Sequence, residues 1–159
     1  TDNSVAYTDS GGSQQFGWYI DLPTSGERVV VRPQVRGDII FFNTMIPSTD
    51  ICSYGGTGWL MAAKTVNGGN PSTSSPVFDY DDDNAVTGDD VVTDDSGNDA
   101  AAAGREFTQG LPAQSAFLSN YQYTPGSQTD EGDEIDKQTV QELENAQTGR
   151  LSWIELIPD

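Results

Sequence analysis

Histidine is absent from this 159-residue chain, cysteine occurs once, at Cys52, and Lys and Arg together number 7 against 25 Asp and Glu. Each shortage excludes something. Without His the chain lacks the commonest general base and the commonest transition-metal ligand, which argues against zinc and haem sites and leaves Cys52 and the serines without a partner to activate them. A single cysteine cannot form an internal disulfide, so Cys52 is a free thiol or pairs outside the chain, and it says nothing of redox compartment. The net charge of −18 repels nucleic acid and anionic membrane surfaces, so neither is expected as a direct partner. The same charge favours cations and suits a salty, screening environment such as a marine or halophilic one. There is no run of 18 apolar residues and no signal peptide. Because the chain opens on Thr1 and not Met, it reads as a processed or excised piece of an exported protein.

What is there points to strands. The hydrophobic fraction is 35%, with 17 Gly and 8 Pro, against roughly 45–50% apolar residues in an average domain. A modest core with many short strands and turns fits this better than a helical bundle, and the length suits one domain or part of one. Residues 1–15 are small and polar and read as a loose arm. Phe16 to Leu22 alternates as a strand, Pro23 to Glu27 as a turn, and Arg28 to Arg32 as the answering strand of a hairpin. After Gln34-Val35 and a turn at Arg36-Gly37 come a long strand from Asp38 to Met45, an excursion to Gly56, a strand from Thr57 to Thr65, and a turn at Asn67 to Asn70. This is how one blade of a β-propeller reads, a small antiparallel meander spanning 16–69. A second, fainter meander spans 107–159, through Pro112 to Leu118, Gln122 to Thr124, an acidic turn from Asp130 to Glu134, Ile135 to Leu143 and a strong strand from Thr148 to Leu156. Nine or ten strands cannot close a ring of at least about four four-stranded blades. Either the remaining blades lie outside this sequence, or the strands form a smaller sandwich.

Between the meanders lies an acidic insertion, 70–106, with nine of the 18 Asp residues and no Lys or Arg before Arg105. Within it, Asp79, Asp81, Asp83 and Asp90 occupy positions 1, 3, 5 and 12 of a twelve-residue loop, with Asn84 at position 6 and Val86 at position 8. That is the spacing of an EF-hand-like calcium loop, in which a tightly turning chain offers alternate side chains to a hard cation needing about 6–8 oxygens. Asp79, Asp81 and Asp83 would supply side-chain oxygens, Ala85 its backbone carbonyl, Thr87 a hydroxyl or a bridging water, and Asp90 the closing carboxylate. Asn84 replaces the usual Gly, acceptably because Asn tolerates left-handed backbone. Asp90 replaces the usual Glu, so the loop must close more tightly or bind more weakly. The bland alternative is a solvated acidic loop, but carboxylates so crowded repel one another, and a bound ion would relieve that. Asp99 to Gly104, with four alanines, reads as a one-turn helix or a flexible connector.

Other motifs weigh less. Arg36-Gly37-Asp38 is an integrin-type tripeptide, but it falls where a hairpin turn is needed. Asp94 to Asp99 offers oxygens for a second ion, but Arg105 stands at the closing position. Trp18, Trp59 and Trp153 lie in apolar strands and are expected as buried packing anchors, not a sugar-stacking face. Among 25 acidic residues some pair meets the spacing of a glycosidase by accident, and no isolated Glu in an apolar setting stands out. The pattern is not that of an enzyme.

Three blocks carry a family resemblance: Phe16 to Val30, Pro33 to Cys52, and Gly55-Gly56-Thr57-Gly58-Trp59-Leu60-Met61. With the loop after Pro76-Val77-Phe78-Asp79 and the ending Thr148-Gly149-Arg150-Leu151-Ser152-Trp153, the order from about residue 16 to 156 resembles the C-terminal region of PilY-type proteins, the large type IV pilus-associated proteins of the pilus tip. The Asp-rich insertion is more acidic than that family leads one to expect. The resemblance implies the closing portion of a modified β-propeller with upstream blades, calcium held at Asp79, Asp81, Asp83 and Asp90, and an extracellular place at the bacterial pilus tip or cell surface. It also implies roles in pilus biogenesis, retraction control and surface adhesion, with minor pilins or the tip complex, and a host or abiotic surface, as partners. A structural alternative stands beside it: an acidic extracellular β-domain in which calcium only holds the fold or bridges filament subunits.

Overall fold

The computed structural model describes residues 4–8, 14–50, 54–94, 96–129 and 135–141. Among these the regular elements are all strands and all pairings are antiparallel, as expected of an all-β chain. The largest sheet is built on two nine-residue strands, β3 (Ile39–Pro47) and β4 (Gly56–Lys64), paired along their whole length from Ile39↔Lys64 to Pro47↔Gly56. Short strands β1 (Arg28–Val29) and β2 (Gln34–Arg36) share the outer edge of β3, and β7 (Gly104–Phe107) lies along β4. A second sheet is a meander of β8 (Ala116–Leu118), β9 (Tyr121–Pro125) and β10 (Ile135–Thr139). β5 (Val91–Thr93) and β6 (Asp99–Ala101) form a separate hairpin.

Alternation explains which faces are buried. Ile39 and Phe41 on β3, Leu60 and Ala62 on β4, and Phe107 on β7 point to one side of the large sheet and meet Val77, Phe78 and Val140. Phe41 is the centre of this core, edge-on to Phe78 at 6.4 Å between centroids and tilted against Phe117 of β8 at 4.8 Å. Phe78 pairs with Val140 in an isolated bridge, so the acidic insertion leaves the core from the end of β10. A buried polar layer joins the two sheets. Asn43 donates to Ala113 O at 2.6 Å and Ser115 Oγ at 3.0 Å, and Gln34 donates to Ser115 O at 2.6 Å.

Four expectations are corrected. Phe16 to Leu22 is not a strand, so the first hairpin does not form, and Arg28–Val29 pairs with Thr44 and Met45 instead. Trp18 explains why: its Nε1 donates to Thr65 O at 2.8 Å and the segment lies over the turn after β4, leaving Phe16 and Tyr19 exposed. Part of the expected loose arm is held in the same way, with Tyr7 Oη donating to Val66 O at 2.6 Å and Gln15 N to Ala6 O at 2.8 Å. Asp99 to Ala101 is neither helix nor connector but strand β6, paired with Val91–Thr93. Trp18 and Trp59 are half-buried where full burial was expected. Cys52, the acidic turn from Asp130 to Glu134, and the closing strand with Trp153 lie outside the described residues.

Candidate metal centre

The loop from Asp79 to Asp90 joins Phe78, at its bridge to Val140, to β5; no helix flanks it. Side chains accepting N–H groups two residues on set its curvature. Asp83 N donates to Asp81 Oδ1 at 3.2 Å, Ala85 N to Asp83 Oδ1 at 2.8 Å, and Asp89 N to Thr87 Oγ1 at 3.3 Å. Asn84 adopts the left-handed backbone anticipated from position 6, at φ 69°, and Asp82 does so at φ 60°. Asn84 N then reaches back to Asp79 Oδ2 at 3.0 Å, closing the loop across its middle.

The structure brings Asp79, Asp81 and Asp83 together, one carboxylate oxygen from each lying within 4.8 Å of the others. Asp79 is 3% exposed, and its Oδ1 is buried without a hydrogen-bond partner. A buried carboxylate oxygen left unpaired is costly, and beside two further carboxylates it fits a divalent cation ligand. Asp90, 1% exposed, stands outside this trio. Its Oδ1 accepts from Tyr80 N and, at 3.3 Å, from Asp81 N, and its Oδ2 accepts from Thr87 N at 2.7 Å. Asp90 thus closes the loop through its backbone, with acceptor capacity still spare, since an ionised carboxylate offers about four lone-pair sites. Ala85 and Thr87 are exposed on the loop. Behind Asn84, Ala85 and Val86 lies a cavity of about 730 Å³ reaching Asp38, Lys64 and Gln141, and none of the four aspartates lines it.

The crowding acts on Asp81. The N–H of Asp83 favours its ionised form, but desolvation and the charges of Asp83, Asp90 and Asp79 outweigh this and raise its pKa above the ordinary aspartate value. The Asp94 group, weighed above as a second ion site, is a turn. The Asp94 carboxylate accepts from Asn98 N and Ser96 N at 2.8 and 2.9 Å to close the β5–β6 hairpin, bonds that hold its pKa below the ordinary value.

Two residues that the loop spacing does not reveal hold Asp79 from behind. Arg105 on β7 donates through one guanidinium nitrogen to Asp79 O at 3.0 Å and to Asp82 Oδ1 at 3.1 Å, and Gln138 on β10 donates to Asp79 O at 2.9 Å. They stand 26 and 59 residues away in sequence, beyond any local pattern.

Two proteins of Xylella fastidiosa (strain Temecula1), each described as a type IV pilus biogenesis factor PilY1 homolog, are similar to the chain. One is 27% identical over 120 residues, covering 72% of this chain and 8% of the relative; the other is 42% identical over 59 residues, covering 33% and 5%. The chain therefore spans less than a tenth of the length of these relatives. In fold it is similar to the crystal structure of the Pseudomonas aeruginosa PilY1 C-terminal domain, with a TM-score of 0.62, 20% identity, and coverage of 89% of this chain and 26% of that one. No family model matches the chain. The resemblance to the C-terminal region of PilY-type proteins, read first from the sequence blocks, is borne out.

Proposed function

We propose, from this likeness to PilY-type C-terminal regions, that the chain is a calcium-binding, non-catalytic portion of a type IV pilus tip protein acting in pilus biogenesis, retraction control and surface adhesion. Its two larger sheets would be the closing part of a larger β-propeller whose other blades lie on sequence outside this chain. The match to about a quarter of a longer solved domain supports this. Val35 on β2, Leu118 on β8 and Ile135 on β10 are more than half exposed, the kind of apolar surface that neighbouring blades cover. Minor pilins or the tip complex, and a host or abiotic surface, are the partners this reading assigns, at the bacterial surface.

The observation that carries the calcium reading is the buried, unpartnered Oδ1 of Asp79 beside the carboxylates of Asp81 and Asp83. Those three side chains, with the Ala85 carbonyl, Thr87 and the closing Asp90, would hold the ion. Bound calcium supplies positive charge that offsets the crowded carboxylates and clamps the loop onto the sheets. One arrangement of the partner-facing surface is then favoured only by as much as calcium binds it better than the alternatives.

Calorimetric calcium titration of the chain and of Asp79→Asn tests this. One ion is expected to bind the parent, and the isotherm is expected to vanish in the variant, which keeps the Asn84 bond but loses the charge. In the whole protein, the same substitution is expected to change pilus number or twitching under calcium. A parent that binds nothing at millimolar calcium would overturn the metal reading; unchanged pili despite lost calcium binding would favour the purely structural role.

A further inference from the structure

The reading of the loop as a calcium site leaves open what fixes its first ligand. Asp79 is held at every polar backbone atom by the far end of the second sheet. Its N–H donates to Thr139 O at 3.2 Å, and its carbonyl accepts from Gln138 Nε2 at 2.9 Å, the same amide also reaching Thr139 O at 3.1 Å. The two residues before it continue the zipper, with Phe78 bridged to Val140 and Gln141 N donating to Val77 O at 2.9 Å. Arg105 adds a second donor to the same carbonyl from β7 of the large sheet. On its side chain, Oδ2 takes the Asn84 N–H, and Oδ1 is left buried and unpaired. A ligand whose backbone is fixed from both sheets does not have to be ordered when the ion arrives.

From this geometry we infer that Gln138 is a positioning residue for calcium: a neutral, buried amide that locks the Asp79 backbone so that the carboxylate is set before binding. This rests on the calcium reading above and goes beyond the loop itself, since Gln138 touches no ligand oxygen. Being uncharged, it acts by geometry, and its loss should not change affinity through the field at the ion. Partners that orient metal ligands from behind are commonly worth 10–100-fold in affinity. The fold supplies its own control. Gln122 on β9 is directly opposite Gln138 in the ladder, is 1% exposed against 3% for Gln138, and donates to Ser115 Oγ at 2.9 Å, away from the loop.

The test measures calcium affinity by calorimetry, and melting temperature and amide exchange in chelator, for the parent, Gln138→Leu, Gln138→Asn and Gln122→Leu. Gln138→Leu is expected to bind calcium about tenfold more weakly and to exchange the Asp79 amide faster without metal. Gln122→Leu is expected to melt lower while keeping its affinity within about twofold, because its amide bonds Ser115 and not the Asp79 backbone. Should Gln138→Leu fail to fold, Gln138→Asn carries the test, because it retains a neutral amide but is one methylene shorter than the side chain that reaches Asp79 O; weaker binding is again expected, and parent-like affinity would again overturn the inference. Parent-like affinity in Gln138→Leu, or equal losses in Gln138→Leu and Gln122→Leu, would overturn the inference. A parent that binds no calcium would instead overturn the reading on which it rests.

Discussion

Asp81 gives the loop a pH-dependent element. In the folded, metal-free chain its ionisation is opposed by desolvation and by three neighbouring carboxylates, which together outweigh the favourable N–H of Asp83. Its folded pKa therefore lies above the unfolded value of about 3.9, and folding carries a penalty at neutral pH, where both states are ionised. That penalty is relieved as pH falls through the folded pKa toward the unfolded one. Asp136 has the same sign, raised by its burial on β10 and by Asp82, against the opposing charge of Arg105. Asp94 has the opposite sign: its turn bonds contribute stability above the ordinary value that is lost only below it. A calcium ion held by the loop, as proposed, would need Asp81 ionised, so protonation stabilises the metal-free form and would weaken the loaded one. The gap in melting temperature between calcium and chelator is expected to hold near neutral pH and to narrow as pH falls through the raised pKa of Asp81; melts at several pH values would show it, and a gap that stays constant into the carboxylate range would count against Asp81 as a ligand. The grouping of Asp79, Asp81 and Asp83 was legible because residues two apart in one tight turn come together locally. Gln138 and Arg105 were not, since only the tertiary fold brings them to Asp79.

Elements were legible where one face had to be buried. β3 and β4 read correctly because Ile39, Phe41, Leu60 and Ala62 alternate inward along their strands, and the turn at Gly37, at φ 59°, is punctuated in the sequence. Two segments misled for opposite reasons. The alanines of Asp99 to Ala103 favour helix locally, but the Asp94 turn returns the chain alongside Val91 to Thr93, and pairing overrides propensity. Phe16 to Leu22 has the alternation of a strand, yet the Trp18 indole hydrogen bond anchors it to the β4 turn and away from any ladder. That anchor needs Gly68, which sits at φ 67° with the Trp18 ring against its Cα face, so that a Cβ there would run into the indole. Gly68→Ala is therefore expected to cost at least about 1–2 kcal/mol from the left-handed backbone alone, more once the ring is displaced. At this chain length each kcal/mol lowers the melting temperature by about 2–4 °C. Tryptophan emission should shift red as Trp18 loses its cover; an unchanged spectrum and melt would mean that the arm does not dock there.

The whole molecule carries a net charge of −18, and half of its aspartates lie between residues 70 and 106. Two effects of added calcium must then be told apart: general screening of a self-repelling surface, and occupation of the loop. They differ in what competes with them. Screening depends on ionic strength, with a Debye length falling from about 10 Å at 0.1 M to about 3 Å at 1 M, whatever the cation. A site made of Asp79, Asp81 and Asp83 depends on charge density and oxygen coordination, which sodium does not match. In chelator, raising sodium chloride from 0.1 to 1 M is expected to raise the melting temperature, because carboxylate repulsion is screened throughout. In saturating calcium the same salt should raise it less, because the densest group of carboxylates is already compensated by the ion. Calcium at millimolar concentration adds little ionic strength, so the stabilisation it gives in 0.1 M sodium chloride reports the site almost alone. If sodium chloride at equal ionic strength reproduced the whole calcium effect, the loop would be part of a generally acidic surface, and the buried Oδ1 of Asp79 would be a cost of the fold without a ligand to relieve it.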